Sequence, residues 1–256
     1  MDLGLKGKVA IVTGGSRGIG RATAAALLKE GAQVMIASQH SDSVAQAVKA
    51  LTPLGRVQGQ ACDVAVEKDV VRLVEETVKR FGRLDVMVAN AGIAGEARNL
   101  AETSLEDFDA ILGVHLRGTF LCGREAARAM RAAKTPGRIV TLASTSAYEG
   151  DPLGGPYNAA KSGVIGLTRS MAIDFAPWGI RVNGIAPGWV HTDMSASDLP
   201  ARGKAIPGMG ALERAGDPEE IAAAILFVAG SSCDFMTGTI LVVDGGQVII
   251  APKLPS

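Results

Sequence analysis

Short apolar runs recur along the chain, separated by longer stretches whose apolar positions repeat every three to four residues. The runs are Val9–Thr13, Gln33–Ala37, Val57–Ala61, Leu84–Ala89, Arg138–Leu142, Arg181–Ile185 and Thr239–Val243. Runs of this kind predict strands buried on both faces of a parallel sheet. The stretches between them predict helices, among them Gly18–Glu30 closed by Gly31, Val66–Phe81 closed by Gly82, and Ser104–Ala132. A glycine just past a helix end accepts the left-handed conformation that caps it. Asp217-Pro218-Glu219-Glu220 reads as an N-cap, a first-turn proline and two acids favoured by the helix dipole. Seven strands with crossovers between them predict an α/β, doubly wound fold: a seven-stranded parallel sheet with helices on both faces. No second domain or repeat interrupts the pattern, so residues 1–256 read as one domain.

One stretch breaks the alternation. Trp189–Arg214 mixes Pro200, Gly203, Pro207, Gly208 and Gly210 with apolar Met194, Leu199, Ile206, Met209 and Leu212. A loop of this length is expected to be a lid or substrate wall inserted in the domain, or else a surface loop with a short helix.

Composition narrows the classes. Hydrophobic residues make up 47% of the 256, enough for a large core. The 26 basic and 26 acidic side chains balance and the basic ones are scattered, giving no electrostatic reason to expect nucleic acid or an anionic membrane. Cys62, Cys122 and Cys233 are far apart with no Cys-x-x-Cys pair, which argues against a disulfide framework or zinc site and for a reducing, cytoplasmic compartment. No apolar run is long enough to span a bilayer, and Met1–Lys8 does not resemble a signal peptide. His40 and His191 have no clustered carboxylate or cysteine beside them, so no metal is expected.

Candidate chemistry concentrates in two places. In Tyr157-Asn158-Ala159-Ala160-Lys161 the tyrosine and lysine share one helix face, with Ser144 thirteen residues upstream. A cation beside a phenol favours the phenolate; bringing a pKa of about 10 to near 7 takes roughly 4 kcal/mol. The second place is Thr13-Gly14-Gly15-Ser16-Arg17-Gly18-Ile19-Gly20, between a strand and a helix. Glycines there let the backbone approach a pyrophosphate at the helix N-terminus. At the end of the second strand, Ser38-Gln39-His40 stands where an acid would bind the ribose hydroxyls of NAD. Without that acid, and with Arg17 and Ser38 available to a 2′-phosphate, NADP(H) is favoured over NAD(H).

Together these motifs resemble the short-chain dehydrogenase/reductase family, in its single-domain branch, from Lys8 to Gly246. The resemblance implies a Rossmann fold and a nicotinamide cofactor held by Gly14, Ser16, Arg17, Gly18, Ile19, Gly20, Ser38, Gln39, Asp63, Val64, Asn90, Ala91, Gly92, Tyr157, Lys161, Pro187, Gly188, Val190 and Thr192. Asp63 matches the family's adenine-contacting acid, Asn90-Ala91-Gly92 its N-A-G turn, and Asn183 with Pro187-Gly188 its N-x-x-P-G stretch. Thr192 takes the place of the hydroxyl on the nicotinamide amide, and Asp244-Gly245-Gly246 matches the closing turn. It further implies that Tyr157 is general acid and base, that Ser144 holds the substrate oxygen, and that Lys161 binds ribose hydroxyls, lowers the Tyr157 pKa and feeds a proton relay. One position departs from the pattern. His115, in Val114-His115-Leu116-Arg117-Gly118-Thr119-Phe120, replaces the family's asparagine. It is either a relay member titrating near neutral pH or a packed residue on the stripe Phe108, Ile111, Leu112 and His115.

The expected activity is hydride transfer between NAD(P)(H) and a ketone or secondary alcohol. The substrate walls are expected from Ile93–Asn99, Ser146, Glu149–Gly155 and Trp189–Leu212, with Ser146, Leu153, Trp189 and Met194 as contacts. Apolar Leu153, Trp189, Met194, Ile206 and Met209 suit a small or medium, mostly apolar molecule; Arg98, Arg202 and Lys204 are the cations in reach of an anionic one. A 3-oxoacyl group on an acyl carrier is the alternative substrate. A non-catalytic nucleotide sensor and a lyase or epimerase are alternative classes. The resemblance also implies a homotetramer, and the apolar Val248–Ala251 agrees with assembly.

Overall fold

The computed structural model describes residues 2–250, apart from the Cys233 side chain. Ala251, the end of the apolar tail, lies outside the described residues. Seven strands form one sheet: β1 (Val9–Thr13), β2 (Gln33–Ser38), β3 (Val57–Ala61), β4 (Val86–Ala89), β5 (Arg138–Leu142), β6 (Arg181–Pro187) and β7 (Ile240–Val243). Their order is β3-β2-β1-β4-β5-β6-β7, and every pairing is parallel. The helices are α1 (Gly18–Lys29), α2 (Ser41–Leu51), α3 (Glu67–Phe81), α4 (Leu105–Leu112), α5 (Gly118–Ala132), α6 (Gly155–Phe175) and α7 (Pro218–Ala229).

The alternation of apolar runs and helical stripes produces this arrangement because each parallel crossover needs a helix, and each helix buries its stripe on the sheet. One core gathers Val12, Leu27, Ile36, Val88, Ile221 and Ile225; the other gathers Ile11, Met35, Leu73, Met87, Met130 and Ile139. Alternate residues of β1 thus face opposite layers. Burial on both faces holds for the central strands, while β3 (Val-Gln-Gly-Gln-Ala) and β7 are only partly buried because they are edges.

The helix predicted over Ser104–Ala132 is three pieces. Between α4 and α5 the chain makes a π-helical turn, Gly113–Arg117, centred on His115. An extra residue per turn rotates the side chains that follow, which a 3.6-residue pattern cannot reveal. The short helix allowed for within Trp189–Arg214 is absent; that stretch is a series of turns. Gly82 caps α3 at φ 86° as expected, and the Glu220 carboxylate reaches back to the Asp217 N–H at 2.8 Å to open α7.

The strand order reverses between β1 and β4, so the loops leaving those strands diverge and open a crevice at their carboxyl ends.

Candidate active site

A cavity of about 820 Å³ opens at that crevice. Every residue singled out from the sequence as a catalytic, cofactor or substrate contact lines it, from Gly14 in the first loop to Met194 after β6.

The nucleotide half is built by β1, β2 and β4. The Thr13 hydroxyl accepts hydrogen bonds from the N–H groups of Asn90 and Ala91 at 3.0 and 3.1 Å, and Asn90 Nδ2 donates to the Thr13 carbonyl at 2.8 Å. These bonds hold the turn after β4 flush against the glycine loop. Gly20 permits the close approach: a Cβ there would sit 2.2 Å from the Gly14 carbonyl oxygen. Helix α1 begins at Gly18 with no side-chain cap and no acid in its first turn. Its first N–H groups, at the positive end of the helix dipole, border the cavity and suit a pyrophosphate. The residues present therefore fit a dinucleotide. Farther along, Ser16 Oγ donates to Ser38 Oγ at 3.0 Å, and Gln39 Nε2 donates to Asp63 Oδ2 at 3.4 Å. Arg17 lies 3.9 Å from Asp193, beyond hydrogen-bond length, with both side chains largely exposed.

The other half is built by β5 and α6. Ser144 follows β5, and its backbone is extended at φ −166° as it opens a short 3₁₀ turn. Its Oγ accepts from the Ser146 N–H at 3.2 Å and donates to Ser146 Oγ at 3.1 Å. Ser144 is also near enough to the Tyr157 phenol to favour its ionised form. Lys161, one turn along α6, donates from Nζ to the Leu142 carbonyl at 2.7 Å and sits 5.4 Å from the centre of the Tyr157 ring.

This geometry reverses the expected electrostatics. Burial pushes the Tyr157 phenol above its ordinary value; the nearby Ser144 hydroxyl pulls it partly back, and the Asp151 carboxylate adds to the rise. Burial also draws the Lys161 ammonium down to about 7. A half-neutral amine turned onto a backbone carbonyl exerts little pull on a phenol, so the lowering of Tyr157 expected from Lys161 does not occur in this state.

His115 is packed in the core. It is buried, with Nε2 2.9 Å from the Ile93 carbonyl oxygen and Nδ1 without a hydrogen-bond partner. Burial, then the charge of Lys161, draw its pKa to about 3 against the backbone hydrogen bond at Ile93. It therefore stays neutral at physiological pH instead of titrating there. Nε2 faces both the carbonyl and the N–H of Ile93, the latter at 3.2 Å, and donates to the first or accepts from the second according to the tautomer.

The substrate walls are narrower than expected. Residues 93–98, Ser146, 151–154 and Trp189 to Asp198 border the cavity, but nothing from 199 to 212 does. Ile206 and Met209 are therefore not pocket residues. Instead the Leu212 N–H donates to the Gly245 carbonyl at 2.9 Å, docking the stretch on the turn after β7. Arg202 pairs with Asp217, and Lys204 does not border the cavity. Leu153 reaches the wall from a left-handed backbone at φ 63°, a costly conformation for a branched side chain. Asn183 lies outside the cavity and ties β6 to the chain before β7, donating to the Met236 carbonyl at 2.9 Å and accepting from the Thr239 N–H at 3.1 Å. Sequence reasoning missed Gln247, Asp107, Asp193 and Asp198, which also line the cavity. A lone polar residue on a turn carries no periodic signal. Among the described residues, no three of His, Cys, Asp and Glu gather as metal ligands.

The family model described as enoyl-(acyl carrier protein) reductase matches residues 14–247. The chain belongs to the short-chain dehydrogenase/reductase family. It is similar to the 3-oxoacyl-[acyl-carrier-protein] reductase of Synechocystis sp., with 38% identity over 96% of this chain and 98% of that one. It is also similar to the cis-4-hydroxycyclohexanecarboxylate dehydrogenase of Sinomonas cyclohexanicum, with 40% identity over 95% and 97%. A crystal structure of a short-chain type dehydrogenase/reductase from Mycobacterium marinum superposes with a TM-score of 0.91 at 33% identity, covering 97% of this chain and 98% of that one. As a short-chain dehydrogenase/reductase, the protein is an oxidoreductase acting on alcohol and carbonyl carbons with a nicotinamide dinucleotide. No helix among the described residues is long and apolar enough to cross a membrane.

Proposed function

We propose that this dehydrogenase/reductase interconverts a medium-sized, neutral, ring-bearing secondary alcohol and its ketone, and that it prefers NADP(H) to NAD(H). The observation that carries the reading is the charge of the cavity that Ser144, Tyr157 and Lys161 share. The cations on its wall are Lys161, Arg98 and Arg17; Arg98 is paired with Glu96, and Arg17 lies beside Asp193. The acids Asp107, Asp151, Asp193 and Asp198 border it too. An anionic substrate would find repulsion there and no free guanidinium, whereas a neutral ring would pack on Ile93, Leu153, Trp189 and Met194. The likeness to the cis-4-hydroxycyclohexanecarboxylate dehydrogenase supports a ring, while the wall of this cavity, among the described residues, offers no free cation for a carboxylate such as that relative's substrate carries.

In this reading Ser144 holds the substrate oxygen, and Tyr157 gives it a proton in reduction or removes one in oxidation. The bound nicotinamide supplies or accepts the hydride. Lys161, released from the Leu142 carbonyl, grips ribose hydroxyls and as a cation eases the phenol toward ionisation. His115 holds the Tyr157 ring in place. Arg17 and Ser38, with no acid at the end of β2, favour the 2′-phosphate of NADP(H).

The chain works as one domain, with 189–214 inserted as a substrate loop whose early residues, among them Trp189, Thr192 and Met194, border the cavity. The protein is cytoplasmic, in keeping with the free buried thiols of Cys62 and Cys122. A homotetramer would cover Leu105 on α4, Phe120 on α5, and Phe235 and Ile249 flanking β7, all exposed in the single chain.

The second reading is reduction of a 3-oxoacyl thioester, favoured by the likeness to the Synechocystis enzyme. One assay separates the two. With NADPH, substituted cyclohexanones should be reduced with a higher kcat/KM than acetoacetyl thioesters. Faster turnover of the thioester, or no turnover of any ring ketone with either cofactor, overturns the proposal.

A further inference from the structure

The loop after β6 is held from within by one hydroxyl. Ser195 is only 7% exposed. Its Oγ donates to the Val190 carbonyl at 2.5 Å and accepts from the Thr192 N–H at 3.1 Å. Val190 is itself anchored against Gly216, ahead of α7. There the His191 N–H donates to the Gly216 carbonyl and the Gly216 N–H to the Trp189 carbonyl, both at 2.9 Å. Ser195 thus ties Thr192 to a fixed point. The Thr192 methyl group lies against the glycine loop, where a Cβ added to Gly18 would stand 3.3 Å from Thr192 Cγ2.

Proton counting then fixes the sense of one further contact. Thr192 Oγ1 lies 3.4 Å from Ser195 Oγ. A serine hydroxyl has one proton and two acceptor sites. The Ser195 proton goes to the Val190 carbonyl, which can only accept; the Thr192 carbonyl, at 3.2 Å, is the weaker competitor for it. One acceptor site takes the Thr192 N–H, and the other is left for the Thr192 O–H. Thr192 is therefore the donor in this pair, and the remaining lone pairs of its oxygen stay open.

We propose that Ser195 is a positioning residue: by taking the Thr192 hydroxyl proton it presents Thr192 Oγ1 as an acceptor for the amino group of the nicotinamide carboxamide, and so sets which way that group turns. The inference rests on the nicotinamide-dependent activity proposed above. Thr192 borders the cavity beside Gly18, where α1 begins and its first N–H groups suit the pyrophosphate. A group held in place by packing and buried hydrogen bonds loses little freedom when it binds, which is what a positioning residue supplies.

The test is binding, read by isothermal titration calorimetry with NADP⁺, NAD⁺ and the 3-acetylpyridine analogue of each, in which a methyl group replaces the amide nitrogen. The parent should bind the natural cofactor about fivefold more tightly than its analogue, the worth of one hydrogen bond. In Ser195→Ala the Thr192 hydroxyl is free to donate to the carbonyl oxygen that cofactor and analogue share, so the ratio should fall toward one. Ser195→Thr keeps the hydroxyl and should keep the ratio. Thr192→Val should abolish the ratio alone, and Ser195→Ala added to it should change the ratio no further. A parent that binds cofactor and analogue equally overturns the inference, whether or not the variants fold. So does a Ser195→Ala protein that weakens both equally, the mark of a merely structural role, and so does a ratio that survives in Thr192→Val. Binding of neither NADP⁺ nor NAD⁺ would overturn the nicotinamide-dependent activity together with this inference.

Discussion

The His115 imidazole stands edge-on to the Tyr157 ring, with centroids 5.0 Å apart and planes at 85°. The contact is an edge-to-face aromatic pair inside a buried site, so the histidine braces the Tyr157 ring. It occupies the π-helical turn that splits the helix predicted over Ser104–Ala132, and that turn aims it at the Ile93 carbonyl.

A histidine that stays neutral cannot shape a pH profile near neutrality. Between pH 5 and 9 the pH–rate profiles of the parent and His115→Asn should therefore show the same inflections. An inflection near pH 6.5 in the parent alone would refute this. Stability should differ on the acid side. The folded pKa, about 3, lies below the unfolded value of 6.5. Between those values the unfolded chain binds a proton that the fold refuses, so the parent loses stability as pH falls from 6.5 toward 3. At pH 5 the loss amounts to about 2 kcal/mol relative to pH 8. His115→Asn should escape it, as urea midpoints at the two pH values would record.

Gly92 is small because of His115. A Cβ at Gly92 would lie 2.7 Å from His115 Cε1, a contact that the buried ring cannot relieve by moving away. Gly92→Ala should destabilise the protein by about 1–3 kcal/mol, the usual cost of overpacking. In Gly92→Ala with His115→Ala the cost of the added methyl should largely vanish, giving a coupling of at least ~1 kcal/mol in a double-mutant cycle. Additive effects would show that the two positions are not in contact.

Much of this arrangement was legible from local pattern. Apolar runs located all seven strands because parallel strands are buried on both faces, and the glycine loop and Tyr157/Lys161 spacing pointed to one crevice because each is a local geometric device. What escaped depended on packing that no local period encodes. The π-turn at His115 shifts a helical register without changing composition. Ile206 and Met209 looked like pocket residues by their apolarity, but their stretch docks on Gly245. The upward shift of Tyr157 in the single chain was not legible because spacing along a helix does not reveal that the amine is turned onto the Leu142 carbonyl.

Cofactor choice should turn on Ser38. Its hydroxyl, held at 3.0 Å by Ser16, sits at the end of β2 where a carboxylate would favour ribose hydroxyls and repel a 2′-phosphate. Ser38→Asp should weaken NADPH by about 100-fold, within the 1–3 kcal/mol typical of charge-assisted contacts, while NADH binding holds or tightens. Nicotinamide fluorescence titrations of both cofactors would check it. Parallel changes in the two affinities would refute a role for this position in discrimination.

Lys161 poses a conflict between stability and chemistry. Its ammonium is buried with one hydrogen bond to the fold, from Nζ to the Leu142 carbonyl at 2.7 Å, and its pKa falls from 10.5 to about 7. Between pH 7 and 10.5 the unfolded chain holds a proton that the folded chain has released, so this group makes stability rise with pH across that window. From pH 7 to 9 the gain is about 2 kcal/mol. The buried thiols Cys62 and Cys122 act in the opposite direction, but only above their ordinary value of 9.0, since burial raises both. Lys161→Met removes the titration and fills similar space, at the expense of an unpartnered Leu142 carbonyl, roughly 1–3 kcal/mol. The variant should thus be about 2 kcal/mol more stable than the parent at pH 7, with the gap closing near pH 9. It should also lose at least ~100-fold in turnover if Lys161 serves the phenol. Denaturant midpoints at both pH values, measured without cofactor, test the first part. A variant less stable than the parent at pH 7, or a gap that does not change with pH, would mean that the ammonium remains charged in the fold and is held by more than the one carbonyl.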